Sequence, residues 1–590
     1  MFSLVKKALP LLCLLSTLCQ TLSGQEASGK RWEGSVGFNA GSSFDSGNTS
    51  GKYTFSTGDV SAGIGYRTDK FRVRLDLQCL SGFATTSVSG SVVNIGEVQA
   101  PEGDLDIKHN ETKTFEEKAG LLMEYTPSGN DNFSLELKQK WNRLDPQKVV
   151  VSIHSVFFGG EPMTDYSIHI GEEVQYLTGY GASARWNHKF DKPGREMKTT
   201  LDWTLDGNED PITWYKILGE TQINSLQMTR AERHDAKHAL NAAVTYRDPD
   251  LSGLKGLNLE LGAGIRMDRE LDRYSAENQK QGIWVDSLEY RRNFDFFALD
   301  FAPTAKLSYS PGKFKLDLRL TPDIYLRNYS GDKNEAGPEL DRIRILPDFD
   351  ASWTPSSKHK LQFSYRRGIV RPSYTQLCSF RRMGQYATEL VEGNPDLQPN
   401  VNSKAALSYT FHSGFFTGTL EGTGRVDKDR IFYVFGRDGI FKKFNWINAE
   451  RIVEGGLRLG LKAELKNFTA NLGGVCNYFS GHTSSGDVIR NADWGVDGDA
   501  TLKVRRGWTF NVKGRYQSKI IRPYSSTTEY VGCDFRIRKD FKKWGVYLDG
   551  KELFDKPILI TTYSEDRTLA RFEDYYYNRR LFSIGASFRF

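Results

Sequence analysis

Residues 257–268 read Leu-Asn-Leu-Glu-Leu-Gly-Ala-Gly-Ile-Arg-Met-Asp, and this stretch decides the fold. Apolar side chains occupy every odd position from Leu257 to Met267, whereas the even positions carry polar residues or glycine. Successive side chains of a β-strand point to opposite faces, so the alternation gives one apolar and one polar face. An α-helix would spread the same residues around its surface. The stretch therefore predicts a strand about twice as long as those of soluble sheets.

The same two-residue period recurs along the chain. It is found near residues 70–79, 133–138, 314–321 and 457–464. Many of these runs have the roughly 9 to 12 residues that a tilted strand needs to cross a bilayer. Their polar faces carry both signs of charge, as in Lys315, Asp317 and Arg319, which suits a wet lumen. A water-soluble β-protein is the alternative, because its strands alternate too.

Short turn-like links separate the strands in a regular way. They are rich in the Gly, Pro, Asn and Asp that turns require, and they lie at 68–70, 126–130, 191–194, 248–250, 311–312, 355–357, 412–414, 466–467, 505–507 and 540–542. Between them, strand pairs are joined by mostly longer polar segments, such as 83–113, 145–172, 207–235, 269–294 and 371–401. Short turns on one rim and long loops on the other are typical of outer-membrane barrels.

Ten short turns and eleven outer loops join 22 strands, so the sequence predicts an all-β transmembrane antiparallel β-barrel with both chain ends on the periplasmic side. The predicted strands lie near 31–41, 56–67, 70–81, 114–126, 131–143, 173–190, 196–206, 236–247, 256–268, 295–309, 313–326, 343–354, 359–370, 402–411, 415–433, 441–465, 468–480, 492–505, 508–519, 527–539, 543–554 and 576–590. The alternation is weakest at 56–67, 295–309 and 492–505, so 20 strands remain possible.

The N-terminus has the pattern of an export signal. Lys6 and Lys7 precede an apolar run over residues 8–22, and the small residues Ser23 and Gly24 follow. This run is too short and too interrupted for a membrane-spanning helix. We expect a signal peptide over residues 1–24 and one barrel domain over 25–590. A lipoprotein signal is the less favoured alternative, because Cys19 does not follow a small residue.

The C-terminus resembles the signal by which barrel proteins are handed to the outer-membrane barrel assembly machinery. In the last nine residues, apolar side chains alternate with polar residues or glycine, and the last one is aromatic. The apolar residues are Phe582, Ile584, Ala586, Phe588 and Phe590. The alternative is an ordinary last strand of a soluble sheet. With the export signal, this ending places the chain in the Gram-negative cell outer membrane, in contact with outer-membrane lipids.

The sequence does not favour an enzyme. No catalytic, cofactor or metal motif is recognised, and the widely spaced cysteines form no disulfide framework. His234 and His238 have a helical metal spacing, but on a predicted strand they share one face about 13 Å apart. The net charge of +6 is mild for 590 residues and predicts no nucleic-acid partner. A barrel hydrolase, whose catalytic residues are distant in sequence, is the remaining enzymatic alternative.

Two stretches resemble the TonB-dependent receptor-like outer-membrane barrels of Bacteroidetes, and the resemblance covers roughly residues 340–590. The first matches the family's Arg-Pro-Ser-Tyr and Gly-Asn-Pro segment through Arg371, Pro372, Tyr374, Glu392, Gly393, Asn394, Pro395 and Pro399. The second, residues 548–555, resembles the family's last hairpin, although Glu552 precedes Leu553 and Phe554 where an asparagine is usual. The resemblance implies a 22-strand barrel, and we interpret the 392–399 turn as structural before functional.

The resemblance implies receptor-like uptake or passage of a polar solute. Family receptors carry a plug domain before the barrel, whereas strand-like sequence here begins at Trp32. We therefore expect the wide lumen to be narrowed by inward-folded loops or by a separate plug-like protein. The alternative is a non-transporting scaffold or anchor for a surface lipoprotein or secretion partner.

Overall fold

The computed structural model describes residues 31–44, 54–86, 89–94, 103–154, 156–158, 161–163, 166–170, 174–216, 227–280, 283–286, 292–331, 336–378, 381–383, 389–438, 441–483, 486–542, 544–554, 556–563, 570–577 and 580–589. Among them, no helix has the length and hydropathy needed to span a membrane. The single α-helical turn Tyr374–Leu377 lies between two strands.

Long strands that pair with their sequence neighbours form the wall. In chain order they are β1 (Arg31–Phe44), β2 (Thr54–Arg67), β3 (Phe71–Thr86), β4 (Gly103–Tyr125), β5 (Asp131–His154), β6 (Gln175–Lys189), β7 (Glu196–Lys216), β8 (Gln227–Asp248), β9 (Leu257–Lys280), β10 (Arg292–Tyr309), β11 (Phe314–Gly331), β12 (Arg344–Ser356), β13 (His359–Val370), β14 (Asn400–Ser413), β15 (Phe416–Asp438), β16 (Phe441–Glu464), β17 (Phe468–His482), β18 (Val488–Val504), β19 (Trp508–Gln517), β20 (Tyr530–Asp540), β21 (Trp544–Lys551) and β22 (Leu581–Arg589).

Shorter strands belong to the long-loop rim. They are Ser89–Asn94, Val156–Phe158, Glu161–Met163, Tyr166–Ile170, Ile283–Asp286, Ala336–Leu340, Arg381–Met383, Glu389–Glu392, Ile520–Arg522, Ser525–Thr527, Pro557–Tyr563 and Ala570–Tyr577. Several of them pair with one another from different loops, as residues 525–527 do with 560–562. The loops of this rim are thus partly joined into a second tier of sheet.

The wall closes on itself. Each wall strand pairs antiparallel with the next, and β1 also pairs with β22, with Ser35 opposite Arg589 and Ser43 opposite Leu581. An antiparallel ring of 22 strands leaves no open edge, so its backbone groups can be satisfied within a bilayer. The prediction of 22 strands is confirmed, including the three weak ones, which are present as β2, β10 and β18.

The predicted strands differ from the observed ones mainly at the long-loop end. Strand β9 continues to Lys280 and β4 begins at Gly103, so much of the segments 83–113 and 269–294, predicted as loops, is strand. The prediction was wrong there because alternation between apolar and polar residues marks only the part of a strand that contacts lipid. Beyond the bilayer both faces meet water, and the pattern disappears although the pairing continues.

The apolar face of the wall is exposed, as expected of a surface that contacts lipid. Leu261, Leu407 and Leu459 are 46%, 51% and 48% exposed. Large aromatic side chains lie near both ends of this aliphatic band, with Trp494 on β18 and Trp508 at the start of β19. Ten steps of about 3.3 Å separate Trp494 from Val504, which at a tilt near 40° span roughly the 25 Å of a membrane band.

The opposite face carries paired charges. Lys315 and Asp317 approach to 3.0 Å, and Arg536 and Asp549 to 2.6 Å. Glu260 lies 3.8 Å from Arg319 on this inner face. Its neighbour Leu259 points the other way, as the alternation predicted. A hydrated lumen accommodates such charges at little cost, whereas the lipid face would not.

A lysine scan over two adjacent residues of β14 tests this facing. Leu407→Lys on the lipid side should cost about 2–4 kcal/mol of folding free energy. Ser408→Lys is the control, because Ser408 lies opposite Glu421 on the inner face and a lysine there gains a partner. Folding titrations into lipid vesicles measure both. Equal stability of the two variants, or the reverse ranking, would contradict the facing.

Candidate functional site

The segment between β13 and β14, residues 371–399, is here called the mouth loop. Its described parts, residues 371–378, 381–383 and 389–399, pack on the inner face of the wall. Its first residue, Arg371, is surrounded by acids of β10, β11 and the adjoining turn. The guanidinium approaches Asp323 to 2.5 Å and Asp300 and Asp341 to 3.7 Å each. It also lies 3.8 Å from the centre of the Tyr325 ring. The Arg371 side chain is only 13% exposed, so solvent screens these contacts little.

A single helical turn follows and is fixed by its own side chains. Ser373 and Gln376 form a capping box, in which each side chain satisfies the other's backbone. The Tyr374 hydroxyl donates to Asp272 at 3.1 Å, and its ring stacks on Phe294. Leu377 and Cys378 join Phe294 in a buried apolar cluster with Tyr274, Phe296, Ala298 and Leu397. The turn is therefore fastened to β9 and β10 by both polar and apolar contacts.

The second half of the mouth loop returns across this turn. The Gly393 N–H donates to the Cys378 carbonyl at 2.9 Å, and the Asn394 N–H donates to the Gln376 carbonyl at 2.6 Å. A Cβ atom at Gly393 would lie 2.1 Å from the Cys378 oxygen, so only glycine fits. The Asn394 side chain accepts the Asp396 N–H at 2.9 Å, which closes a tight turn around Pro395.

The mouth loop then reaches β16, on the far side of β14 and β15. Residues 389–391 pair in parallel with 442–444, and Lys443 approaches Glu392 to 2.6 Å. Asn394 Nδ2 donates to the Trp446 carbonyl at 3.0 Å. Asn448 accepts the Gln398 N–H at 2.8 Å. The described parts of the loop thus bridge from β9–β11 to β16, over the inner side of the wall.

The tip of the β15–β16 hairpin, residues 430–438 and 441–449, is covered on both faces. Ile431 packs against the mouth-loop cluster, whereas the neighbouring Phe432 ring meets Tyr524 at 5.5 Å between centroids. Adjacent strand residues point to opposite faces. Asp429, with φ of 60°, precedes this region and lets the ribbon turn away from the wall. A ribbon covered on both faces is part of the interior rather than of the lipid-facing wall.

The outer loop between β19 and β20 supplies the second cover. Arg522 lies 3.3 Å from the almost fully buried Asp493 and 4.6 Å from the centre of the Phe479 ring. Tyr524 has no exposed surface. This arrangement repeats that of Arg371, in which an arginine also lies against an aromatic ring and a buried aspartate. The dipeptide Arg-Pro occurs at both places, 371–372 and 522–523.

The structure brings together most of the residues that resemblance selected. Arg371, Pro372, Tyr374 and Gly393 are at least half-buried in one assembly, and Asn394 bonds within it, whereas Pro395 is exposed. The acids that receive Arg371 and Tyr374 were not selected. Asp272, Asp300 and Asp323 lie on the polar faces of alternating strands, where any charged residue fits the pattern. Only the repeated Arg-Pro dipeptide could have pointed to Arg522.

Of the C-terminal residues, Phe582, Ile584 and Ala586 take lipid-facing positions of β22. Phe582 and Ile584 are 36% and 58% exposed. Ala586 faces Val546 of β21 in the register, and the backbone of Phe588 faces Val36 of β1. Phe590 lies outside the described residues. Their role in assembly stays a prediction.

The described part of the chain contains no group of three His, Cys, Asp or Glu side chains arranged to hold a metal ion. His234 and His238 share one face of β8, as predicted from their spacing. Their partners across the strands are Arg273 and Arg269 of β9.

Comparison with known families agrees with this architecture. The profile of the Outer membrane protein beta-barrel family matches residues 188–590. The chain belongs to this family. The matched range covers β7 to β22 and includes the whole mouth loop and the Arg522 loop, so both inward elements belong to the family's own region. No curated protein sequence matches the chain.

Solved structures share the fold at low sequence identity. The family member described here is similar to the copper transporter OprC, with 10% identity, a TM-score of 0.63, and coverage of 96% of this chain and 81% of that one. It is also similar to the ferripyoverdine receptor of Pseudomonas aeruginosa, with 13% identity, a TM-score of 0.60 and coverage of 96% and 72%. A third similar structure is the siderophore receptor PirA from Pseudomonas aeruginosa, with 10% identity, a TM-score of 0.55, and coverage of 96% of this chain and 81% of that one. These likenesses show the fold alone, that of a large outer-membrane β-barrel.

Gly393→Ala tests how the mouth loop is held. The clash with the Cys378 carbonyl should destabilise the docked loop by about 1–3 kcal/mol, which corresponds to a roughly 5- to 150-fold larger open population. The rate of trypsin cleavage after Arg381 or Arg382 in the folded protein measures this open population. Gly422→Ala is the control, since a Cβ there meets nothing within 4 Å. Unchanged cleavage in Gly393→Ala would contradict the docked geometry.

Proposed function

We propose that this outer-membrane barrel takes up a polar solute and that the mouth loop controls entry. The observation that carries the proposal is the pair of arginine-anchored segments that cover the inner side of a closed 22-strand wall. Arg371 and Arg522 are each placed on an aspartate that is nearly excluded from solvent. Removing one partner of such a pair costs about 3–5 kcal/mol. The segments are therefore held inward at rest, and a solute must displace or rearrange them.

An open region of the inner wall lies on the other side of the barrel, over β2–β7. A cavity of about 570 Å³ has a floor that includes Gly63, Gly120 and Gly181, which alternate with Asp76 and Lys138 in one register row. A Cβ at Gly120 would meet nothing within 4 Å. Lys118 and Lys140 border this floor with half-exposed side chains, each paired to Glu116. The cavity offers hydrated, charged walls, which suits a polar solute.

The similar structures support uptake, because they include a siderophore receptor and a copper transporter. The resemblance of residues 371–377 and 392–399 to the receptor-like barrels of Bacteroidetes supports receptor-like uptake of a polar solute, with a surface lipoprotein or a plug-like protein as partner.

A scaffold role is the second candidate, and one observation favours it. The β15–β16 hairpin tip is packed on both faces, with Phe435 and Phe444 almost fully buried. Such packing resembles a permanent filling of the mouth more than a movable gate. If it never opens, the barrel serves as an anchor for a surface partner. Conductance separates the two roles.

Replacing residues 371–399 by Asn-Gly removes the mouth loop and should open the lumen at the long-loop rim. Val370 and Asn400 are register partners, so a two-residue hairpin turn can join β13 to β14 without moving the wall. In planar bilayers we expect low conductance from the intact protein and a several-fold rise in the variant. The control replaces residues 483–487 by Asn-Gly, since His482 and Val488 are also register partners on the neighbouring strands β17 and β18.

Three outcomes decide between the roles. A rise only after loss of the mouth loop supports the gate. A large steady pore in the intact protein contradicts closure by the chain's own loops. No conductance in any variant favours the scaffold, whose lumen would then be filled by wall and hairpin side chains.

Deletion of Phe590 tests the proposed contact with the assembly machinery. Recognition of the last strand precedes insertion, so we expect less heat-modifiable barrel in the outer membrane, while refolding of the purified variant into vesicles stays normal. Deletion of residues 484–485, between β17 and β18 in the sequence, is the control. Unchanged membrane levels at normal expression would count against an assembly signal.

A further inference from the structure

The outward face of β9 changes character at one residue. From the short-turn end, its lipid-side positions are apolar up to Met267, and the next ones on the same face are Arg269, Leu271 and Arg273. Six apolar positions cover eleven residues, which at about 3.3 Å per residue and the tilt of a barrel strand span the membrane band. Arg269 therefore lies at the boundary between the hydrocarbon and the long-loop side.

Histidines of β8 accompany both arginines. His238 faces Arg269 and His234 faces Arg273 in the antiparallel register, so all four side chains point outward. His234 and Arg273 are exposed, and the Arg269 side chain is 54% exposed. Arg269 donates from Nε and Nη2 to Asp295 at 3.1 and 2.7 Å. Its Nη1 group is left for another acceptor, because a guanidinium has five N–H donors.

A groove runs across this boundary on the outer surface of β7–β11, with a volume of about 580 Å³. Trp203, Leu240 and Met267 line one part, and they are continuous with the lipid-facing band. His238, Arg269 and Asn328 line the other part, where Phe297 lies between Arg269 and Asn328 in the register. One end of the groove is therefore apolar and the other is rich in hydrogen-bond donors.

We propose that this groove binds a phosphate-bearing lipid of the long-loop leaflet. The acyl chain would lie along Trp203 and Met267, and the phosphate would accept hydrogen bonds from Arg269 and Asn328. Arginine matches phosphate oxygens in geometry and charge. Arg273 and His234 add donors farther from the membrane. The continuity of the groove with the lipid-facing band selects a lipid over a free anion.

The variants separate charge from fold. Arg269→Gln with Arg273→Gln should weaken binding of lipid A by roughly 30-fold, about fivefold per arginine. Asp295→Asn removes the competing carboxylate and should strengthen binding severalfold, an opposite sign that misfolding would not produce. The control is Arg266→Gln, on the same strand but on the inner face, where Arg266 pairs with Asp268 at 2.7 Å.

Native mass spectrometry of the purified barrel in detergent measures the bound lipid. We expect retention of lipid A, no retention of phosphatidylcholine beyond bulk detergent exchange, and loss in the double arginine variant while Arg266→Gln binds normally. Heat-modifiability confirms that each variant is folded. Equal binding of phosphatidylcholine, or unchanged binding after the double substitution, overturns the proposal. Full displacement of lipid A by inorganic phosphate also overturns it, since the site would then take a free anion.

Discussion

Backbone hydrogen bonding is the constraint on which the whole molecule depends. Inside a bilayer no water can satisfy an unpaired N–H or C=O group, so a spanning sheet must have no edge. The pairing of β1 with β22 meets that demand and joins residues more than five hundred positions apart. All other features follow from the ring, because closure fixes which side chains face lipid and which face the lumen. The apolar face then needs only bulk and hydrophobicity, whereas the inner face is free to carry charges.

The mouth loop binds to charged residues of this inner face. Charged residues on the inner face of β10 and β11 receive Arg371, and aromatic side chains of the same strands supply a surface for the loop. Desolvated charges are stable there only when paired. The two Arg-Pro segments solve the same problem in the same way, by placing a guanidinium on a ring and an aspartate. Segments fastened by paired charges can be released by a competing polar ligand, which an entirely apolar packing would not allow.

The sequence predicts the strands of the wall far better than the contacts of the mouth loop. Alternation over 257–268 and the ten short turns are sufficient for the number and the facing of the strands. Beyond the membrane, apolar and polar residues no longer alternate, so the sequence did not predict the strand ends near Gly103 and Lys280. Arg371 and Gly393 were found only through resemblance to a family. Asp323 and Asp493 gave no signal, because an acid on a polar strand face looks the same whether it meets water or an arginine. The contacts that make them special join distant segments of the chain.

The height of the strands has a consequence for what the protein can meet outside the cell. Beyond Met267, β9 continues as hydrogen-bonded strand to Lys280, which is roughly 30 Å of further rise once the tilt is included. Around β7–β9, whose strands have 21 to 24 residues, the wall therefore stands above the bilayer as a stiff collar nearly as tall as the membrane is thick, whereas β12 and β13 have only 13 and 12 residues. A collar of that height carries the loop tips through the crowded sugar layer next to the lipid, and it keeps them at a fixed distance from the bilayer. Large objects in the medium, such as another cell's surface or a bulky protein, would touch this collar before they touched the membrane.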